Sequence, residues 1–140
     1  MRYGPVALIL CLAWAAGCGG GPTSPTAVNV AGNWTGTWKF VTSGVTVTDN
    51  VTAAFTQSGA SVNGTWTAES GPTGSMSFQV GSTFTGSFTI SQTTLGGATC
   101  TATATLSGQA TSSSLEVTVV SIPASSTCSW ASNHQFSLHK

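Results

Sequence analysis

Charged residues are scarce in this chain of 140 residues, which holds three Lys or Arg, three Asp or Glu and no net charge. Nucleic-acid binding depends on clustered Lys and Arg that neutralise phosphates, and the sequence has no such cluster. The same scarcity makes long-range steering of a charged ligand weak. We therefore expect no nucleic-acid partner.

Side chains that carry catalysis or bind metals are also few. The only histidines are His134 and His139, and no Gly-x-Ser-x-Gly elbow precedes a helix. A Ser–His pair completed by Glu116 is the one catalytic arrangement left, but a His with apolar parity is more often a hydrogen-bonded core residue. The scattered acids and the few His and Cys do not form paired carboxylates or a ligand cluster. We expect no enzyme activity, no cofactor and no metal.

Long apolar runs are limited to one, from Val6 to Ala16. It is shorter than the roughly 20 residues that a membrane-spanning helix needs. Arg2 precedes it and small residues follow, which is the pattern of a secretory signal peptide. The chain is therefore predicted to be exported.

The end of this run is Ala15-Ala16-Gly17-Cys18, followed by Gly19. This segment resembles the lipobox of bacterial lipoproteins, although that family prefers Leu where Ala15 stands. The resemblance implies cleavage before Cys18 and lipid (palmitate) attachment to it, which would anchor the chain to a membrane of the cell envelope. Gly19 is not the Asp associated with inner-membrane retention, so the resemblance favours the outer membrane, on its periplasmic or its surface face. The alternative is an ordinary signal-peptidase cut that leaves Cys18 a free thiol.

The resemblance divides the chain into three parts. Residues 1–17 form the signal peptide, 18–30 the lipidated N-terminus and a flexible tether, and 31–140 a single β domain. The tether is rich in Gly, Pro, Ser and Thr, a composition typical of linkers.

The cysteines follow from this division. Cys11 leaves with the signal peptide and Cys18 takes the lipid, so Cys100 and Cys128 remain in an oxidising compartment. They are predicted to form a disulfide worth about 3–4 kcal/mol, with two buried thiols as the alternative. These two cysteines begin the sixth and eighth predicted strands, which a simple meander separates.

Apolar and hydroxyl residues alternate with a period of two in eight segments, which predicts an all-β domain. Most links between segments are short, and short links force antiparallel neighbours. We predict an antiparallel meander of about eight strands, closed into a small barrel; a two-sheet sandwich is the alternative. The segments begin at Trp34, Val51, Val62, Ser75, Phe84, Cys100, Leu115 and Cys128, the last with a bend near Ser132.

Glycine recurs at positions of apolar parity. Within strands it would permit tight coiling or close approach of neighbouring chains, whereas the simpler interpretation is that some of these residues end strands. They are Gly36, Gly64, Gly74, Gly86 and Gly108.

The first strand opens with Gly32-Asn33-Trp34. A Gly-x-Trp at the start of an eight-stranded meander is similar to the lipocalin and avidin barrels, the calycins. The resemblance implies that Trp34, preceded by Gly32, closes one barrel end and that the opposite mouth holds a small, mostly apolar ligand. The Arg that lipocalins pack over this Trp has no counterpart, because no Arg follows Arg2.

Eight residues of apolar parity are candidates for a pocket lining or for a filled core. The first interpretation predicts a lipid-anchored envelope protein that binds a small apolar ligand or has a structural role. The alternative is a protein-interaction module with a filled core, acting in adhesion, envelope assembly or protease inhibition. The candidates are Trp38, Phe55, Trp66, Phe78, Phe88, Trp130, His134 and Phe136.

Overall fold

The computed structural model describes residues 28–123 and 128–140 and contains eight β-strands. The predicted lipidation site, Cys18, and most of the predicted tether lie outside the described residues. The strands are β1 Gly32–Thr42, β2 Val45–Ser58, β3 Ser61–Ala68, β4 Thr73–Gln79, β5 Thr83–Thr93, β6 Thr99–Ala110, β7 Ser114–Ser121 and β8 Ser132–His139.

The strands form a closed barrel in which each pairs with its neighbours in chain order. All pairings are antiparallel, including the closing pair of β1 with β8. The predicted meander and its closure are confirmed, and the two-sheet alternative is wrong. The pairing of β1 with β8 removes the two outer edges that an open sheet would expose.

Side chains of apolar parity face the interior and form one buried cluster. The hydroxyl residues that alternate with them face outward, as period-2 strands require. The largest fully buried side chains include Trp34, Trp66, Phe88 and Phe136. Because the enclosed core and the paired strands all lie within residues 28–140, this domain contains what it needs to fold alone.

The five glycines of apolar parity all lie inside strands. A Cβ on any of them would collide with a carbonyl oxygen of an adjacent strand. Four are also paired with an aromatic residue on the preceding strand, and the Cβ would collide with that side chain too. These pairs are Phe55–Gly64, Trp66–Gly74, Phe78–Gly86 and Phe84–Gly108.

The bounds of several strands differ from the prediction, most of all at the start of β2. This strand begins at Val45 rather than Val51, because Ser43 and Gly44 both adopt positive φ and form a two-residue turn. Such a turn matches the twist of the flanking strands. Gly108 lies inside β6, which runs on to Ala110, so this glycine does not end the strand.

The eighth strand also starts later than predicted, at Ser132 instead of Cys128. The pairing with β1 shifts register between Lys39 and Val41, opposite Asn133, which has a φ of 54°. A bulge of this kind bends the strand, and it lies where the sequence indicated a bend. Cys128 and Trp130 therefore belong to the connection before β8.

Cys100 and Cys128 are joined by a disulfide, as predicted, with Cα atoms 5.9 Å apart. In a simple meander β7 would separate these two cysteines, but the pairing of β6 with β7 is incomplete. Among the described residues, β7 pairs with β6 only from Thr105 to Ala110, so the first part of β6 has no β7 neighbour. The connection before β8 lies beside this free edge, where Cys128 reaches Cys100.

The two ends of the barrel differ. We call the end with the connections β1–β2, β3–β4, β5–β6 and β7–β8 the upper end, and the end with the other connections the lower end. The first described residues, 28–31, and the C-terminal Lys140 lie at the lower end.

Replacing Gly86 with Ala should lower the free energy of unfolding by about 1–3 kcal/mol, since overpacking a dense core costs that much. The added Cβ would meet the Ser77 carbonyl and Phe78. Urea unfolding of the domain 28–140 measures the loss. The control is Gly96→Ala in the β5–β6 turn, where the nearest atom to a new Cβ is 3.9 Å away; equal effects of the two substitutions would contradict the prediction.

Candidate functional site

The lower end of the barrel is closed by Trp34. Its ring is buried, and its Nε1–H donates to the carbonyl of Val30 at 2.8 Å. Gln57 fixes the segment before β1: it accepts from the amide of Val30 at 2.8 Å and donates to the carbonyl of Val28 at 2.9 Å. Gly32 has a φ of 119°, a conformation that favours glycine. Gly32 and Trp34 therefore lie at the lower end of the barrel.

A lysine covers this tryptophan, in the position where lipocalins have an arginine. The Lys140 Nζ lies 5.0 Å from the centroid of the Trp34 ring, within cation–π range. The same Nζ donates to the carbonyl of Asn29 at 3.4 Å. Lys140 therefore links the segment before β1 to the closed end.

The middle of the barrel is filled with aromatic side chains. Trp66 stacks on Phe88 at 5.5 Å and meets Phe136 edge-on at 5.1 Å between ring centroids. Phe78 packs edge-on against Phe55 at 6.0 Å. These five of the eight candidate residues are buried core, and none of them lines a cavity at the upper end.

The remaining three candidates meet at the upper end, where the described residues enclose a cavity of about 300 Å³. Its floor is Trp38, Ile90 and His134, and loop residues form its rim. The full lining is Trp38, Phe40, Thr42, Ser70, Pro72, Ile90, Gln92, Ser129, Trp130, Ala131 and His134.

His134 is 2% exposed, and both of its ring nitrogens are engaged. Nδ1 accepts from Trp38 Nε1 at 3.1 Å, and Nε2 lies 2.8 Å from the carbonyl oxygen of Ala131, to which it donates as the N–H. Burial lowers the pKa of His134, an effect that the hydrogen bond to Ala131 partly offsets. The imidazole is thus a neutral, fully bonded part of the floor.

Trp130 lies over the cavity on the segment that follows Cys128. Its Nε1 is buried, and among the described residues it has no hydrogen-bond partner. A buried donor without a partner costs about 1–3 kcal/mol. The disulfide to Cys100 holds this segment against β6, so a covalent bond fixes the wall that carries the unpaired donor.

Asp49 positions the opposite side of the rim. It has interior parity on β2 and pairs with Trp38 across the strands. Its carboxylate accepts from the amide and the hydroxyl of Ser70, which holds the β3–β4 loop over the barrel end. Asn50 donates to Glu69 in the same loop at 3.0 Å.

Four residues at this end of the barrel were not predicted as site residues from the sequence: Phe40, Asp49, Ser70 and Gln92. Phe40 has the same parity as Trp38, and Asp49 has the parity of Val51, so the period-2 pattern contained a signal for both. Ser70 lies in a turn, and Gln92 follows the last apolar residue of β5. Their contribution depends on which connections meet at one barrel end.

A larger groove, of about 730 Å³, lies on the outer wall across β5, β6 and β7. Outward hydroxyl and amide residues line most of it, together with Glu116. It is open to solvent and has no aromatic wall apart from Phe84, which belongs to the core. The upper cavity is smaller and less open, and its lining combines aromatic rings with hydroxyl, amide and imidazole groups.

The catalytic arrangement considered from the sequence is not assembled. Glu116 accepts from Ser137 at 2.6 Å on the outer face, whereas His134 points inward. Among the described residues, no three His, Cys, Asp or Glu side chains are grouped to hold a metal ion. The described part of the chain also has no helix of the length and apolarity needed to cross a membrane.

The lowered pKa of His134 predicts a loss of stability in acid. The folded state favours the neutral ring, so its contribution is complete above the unfolded pKa of about 6.5 and declines as the pH falls below it. The extra slope is at most about 1.4 kcal/mol per pH unit, since one proton is involved. Urea unfolding of the domain between pH 7.5 and 5 measures it, and His134→Asn should flatten it. Parallel curves for the two proteins would refute the assignment.

The chain matches no protein-family model, no curated protein and no solved structure in the comparisons made. What the upper cavity binds therefore has to follow from its own residues and their chemistry.

Proposed function

We propose that this protein is an exported, lipid-anchored binding protein that holds a small, mostly apolar ligand in the upper cavity. The observation that carries the proposal is an enclosed space of about 300 Å³ bounded by Trp38, Phe40 and Trp130. The rest of the interior is filled, so this space is where the fold leaves room for a ligand.

The lining supports a ligand with a flat apolar body. Trp38 and Phe40 lie 4.3 Å apart between ring centroids, and His134 stacks on Trp38 at 5.6 Å. Small-molecule sites are typically of about 300–1,000 Å³, with aromatic walls and a few polar groups. At the lower limit of that range, the cavity suits a compound of one or two rings.

The upper end also exposes apolar side chains. The exposed large apolar side chains among the described residues are Val45, Leu95 and Val120, and all three lie at this end. Val45 starts β2, Leu95 is in the β5–β6 turn, and Val120 is near the end of β7. None of them lines the cavity.

The anchoring part of the proposal rests on the lipobox resemblance around Cys18. The described chain starts at the lower end, which Trp34 closes, so an anchor at Cys18 joins the barrel on the side opposite the cavity. With this arrangement the opening faces away from the lipid attachment. The calycin resemblance, a closing Trp and an opposite binding mouth, supports the same assignment.

A second candidate function is a protein-interaction module. The observation that favours it is the exposure of Val45, Leu95 and Val120 at the upper end. A partner would then contact the loops and leave the cavity empty. Failure of small apolar probes to bind would favour this function over ligand binding.

The domain 28–140 should bind N-phenyl-1-naphthylamine, a neutral apolar dye whose fluorescence rises in apolar sites. Ser129→Trp places a bulky side chain in the cavity lining and should weaken binding at least tenfold. The matched control is Ser112→Trp, which lies in the β6–β7 turn at the closed end. Fluorescence titration gives both affinities; equal affinities of the two variants would place the dye outside the cavity and contradict the proposal.

Export and anchoring are tested in a bacterial host fed with a labelled fatty acid. The full chain should incorporate the label and lose its signal peptide, because Cys18 is the predicted acceptor. Cys18→Ser should abolish labelling, whereas Cys11→Ser, in the signal peptide, should leave it unchanged. Labelling that survives Cys18→Ser would exclude the predicted anchor.

A further inference from the structure

His134 joins two parts of the upper cavity. Its Nδ1 accepts from the Nε1–H of Trp38 in the floor at 3.1 Å, and its Nε2–H donates to the carbonyl of Ala131 in the wall at 2.8 Å. Among the described residues, it is the one buried polar side chain. A role for this residue in controlling ligand binding rests on the proposed function, since it concerns the same cavity.

A second proton on this ring would enter at Nδ1, because Nε2 already carries one. A protonated Nδ1 no longer accepts a hydrogen bond. The imidazolium of His134 and the indole of Trp38 would then present two N–H donors to each other. The bond to Ala131 would persist, since Nε2 donates in both states. Protonation therefore breaks the hydrogen bond in the floor and keeps the one in the wall.

The faces of the imidazole are covered by aromatic rings. Trp38 and Phe40 stack on it at 5.6 Å and 6.0 Å between ring centroids. A buried charge is unfavourable unless it is solvated or paired. The open space next to the ring is the cavity that His134 lines. Water would therefore reach the charged ring through the space that the ligand fills.

The elements packed around His134 offer little to pair with its charge. Lys39, on β1, has outward parity and is exposed. Asp49 has inward parity on β2, but β1 lies between β2 and β8, and its carboxylate is already hydrogen-bonded to the β3–β4 loop. Glu69 in that loop is exposed. β5 and residues 128–131 contain no group that titrates, because the cysteine there is in the disulfide. Within the described chain, the imidazolium thus depends on water.

Binding of an apolar ligand would oppose protonation still further. Burial lowers the pKa of His134 in the barrel itself, an effect that the hydrogen bond to Ala131 partly offsets. A ligand that displaces water from the cavity would remove the solvent that the charged ring needs, which disfavours the charged form again.

We infer that a proton on His134 and the ligand compete for the upper cavity, so that acid releases the ligand. The competition is reciprocal: the ligand weakens proton binding by the same factor as the proton weakens ligand binding. Since the neutral ring is the form that binds, affinity is complete above the pKa of His134 in the folded domain and falls as the pH drops through it.

The affinity of the domain 28–140 for N-phenyl-1-naphthylamine should be constant near neutral pH and about tenfold weaker at pH 5. The slope should not exceed about tenfold per pH unit, because one proton is displaced. The diarylamine of the dye stays uncharged over this range. Fluorescence titrations between pH 7.5 and 5 measure the affinity, and circular dichroism selects the pH values at which the barrel is folded.

His134→Asn replaces the imidazole with an amide that can hydrogen-bond but does not titrate, and it should remove the pH dependence. His134→Gln provides the same test if the shorter side chain does not support folding. The matched control is His139→Asn, because His139 also lies on β8 but is exposed at the lower end. It should leave the pH dependence unchanged.

Other results separate the two proposals. Dye binding that is independent of pH, or a pH dependence that survives in a folded His134 variant or vanishes with His139→Asn, would overturn the competition and leave the binding function standing. If the dye does not bind the folded domain at pH 7.5, both the competition and the proposed function are overturned.

Discussion

The pairing of glycine with an aromatic ring on the neighbouring strand is the constraint on which the barrel depends. Eight strands enclose a narrow interior, and Trp66, Phe78 and Phe84 fit there because the residue beside each is glycine. The absent side chain lets the ring lie against the backbone of the next strand. It also lets neighbouring strands approach so closely that a Cβ would overlap a carbonyl oxygen. The same glycines thus allow both the coiling of the strands and the filling of the core.

That arrangement explains why the fold was predictable and parts of the site were not. Alternation is a local property, so the inward parity of Trp38, Phe88 and Phe136 was readable from the chain. Register is not local: that Gly86 would lie beside Phe78 depends on the length of the turn between β4 and β5. The start of β2 was missed because Val45 and Val47 precede Asp49, which interrupts the apolar series.

The upper cavity lies where this packing ends. Between Trp66 and the upper end there are no further glycine–aromatic pairs. There the interior is lined by Trp38, His134 and loop residues. These come from segments that the sequence brings together only through closure of the barrel. Trp130 was recognised as a candidate by its parity with His134, yet it reaches the cavity from a connection outside β8. Its role therefore depends on the disulfide rather than on strand pairing.

The disulfide also determines whether one wall of the upper cavity is held in place. Ser129, Trp130 and Ala131 form one wall of the cavity and follow directly on Cys128. The rest of the barrel is complete without that bond, since its strands and core are held by noncovalent contacts. A reduced chain lacks the bond that holds this wall against β6. Under the proposed binding function, the site would therefore be completed only in a compartment where the disulfide forms.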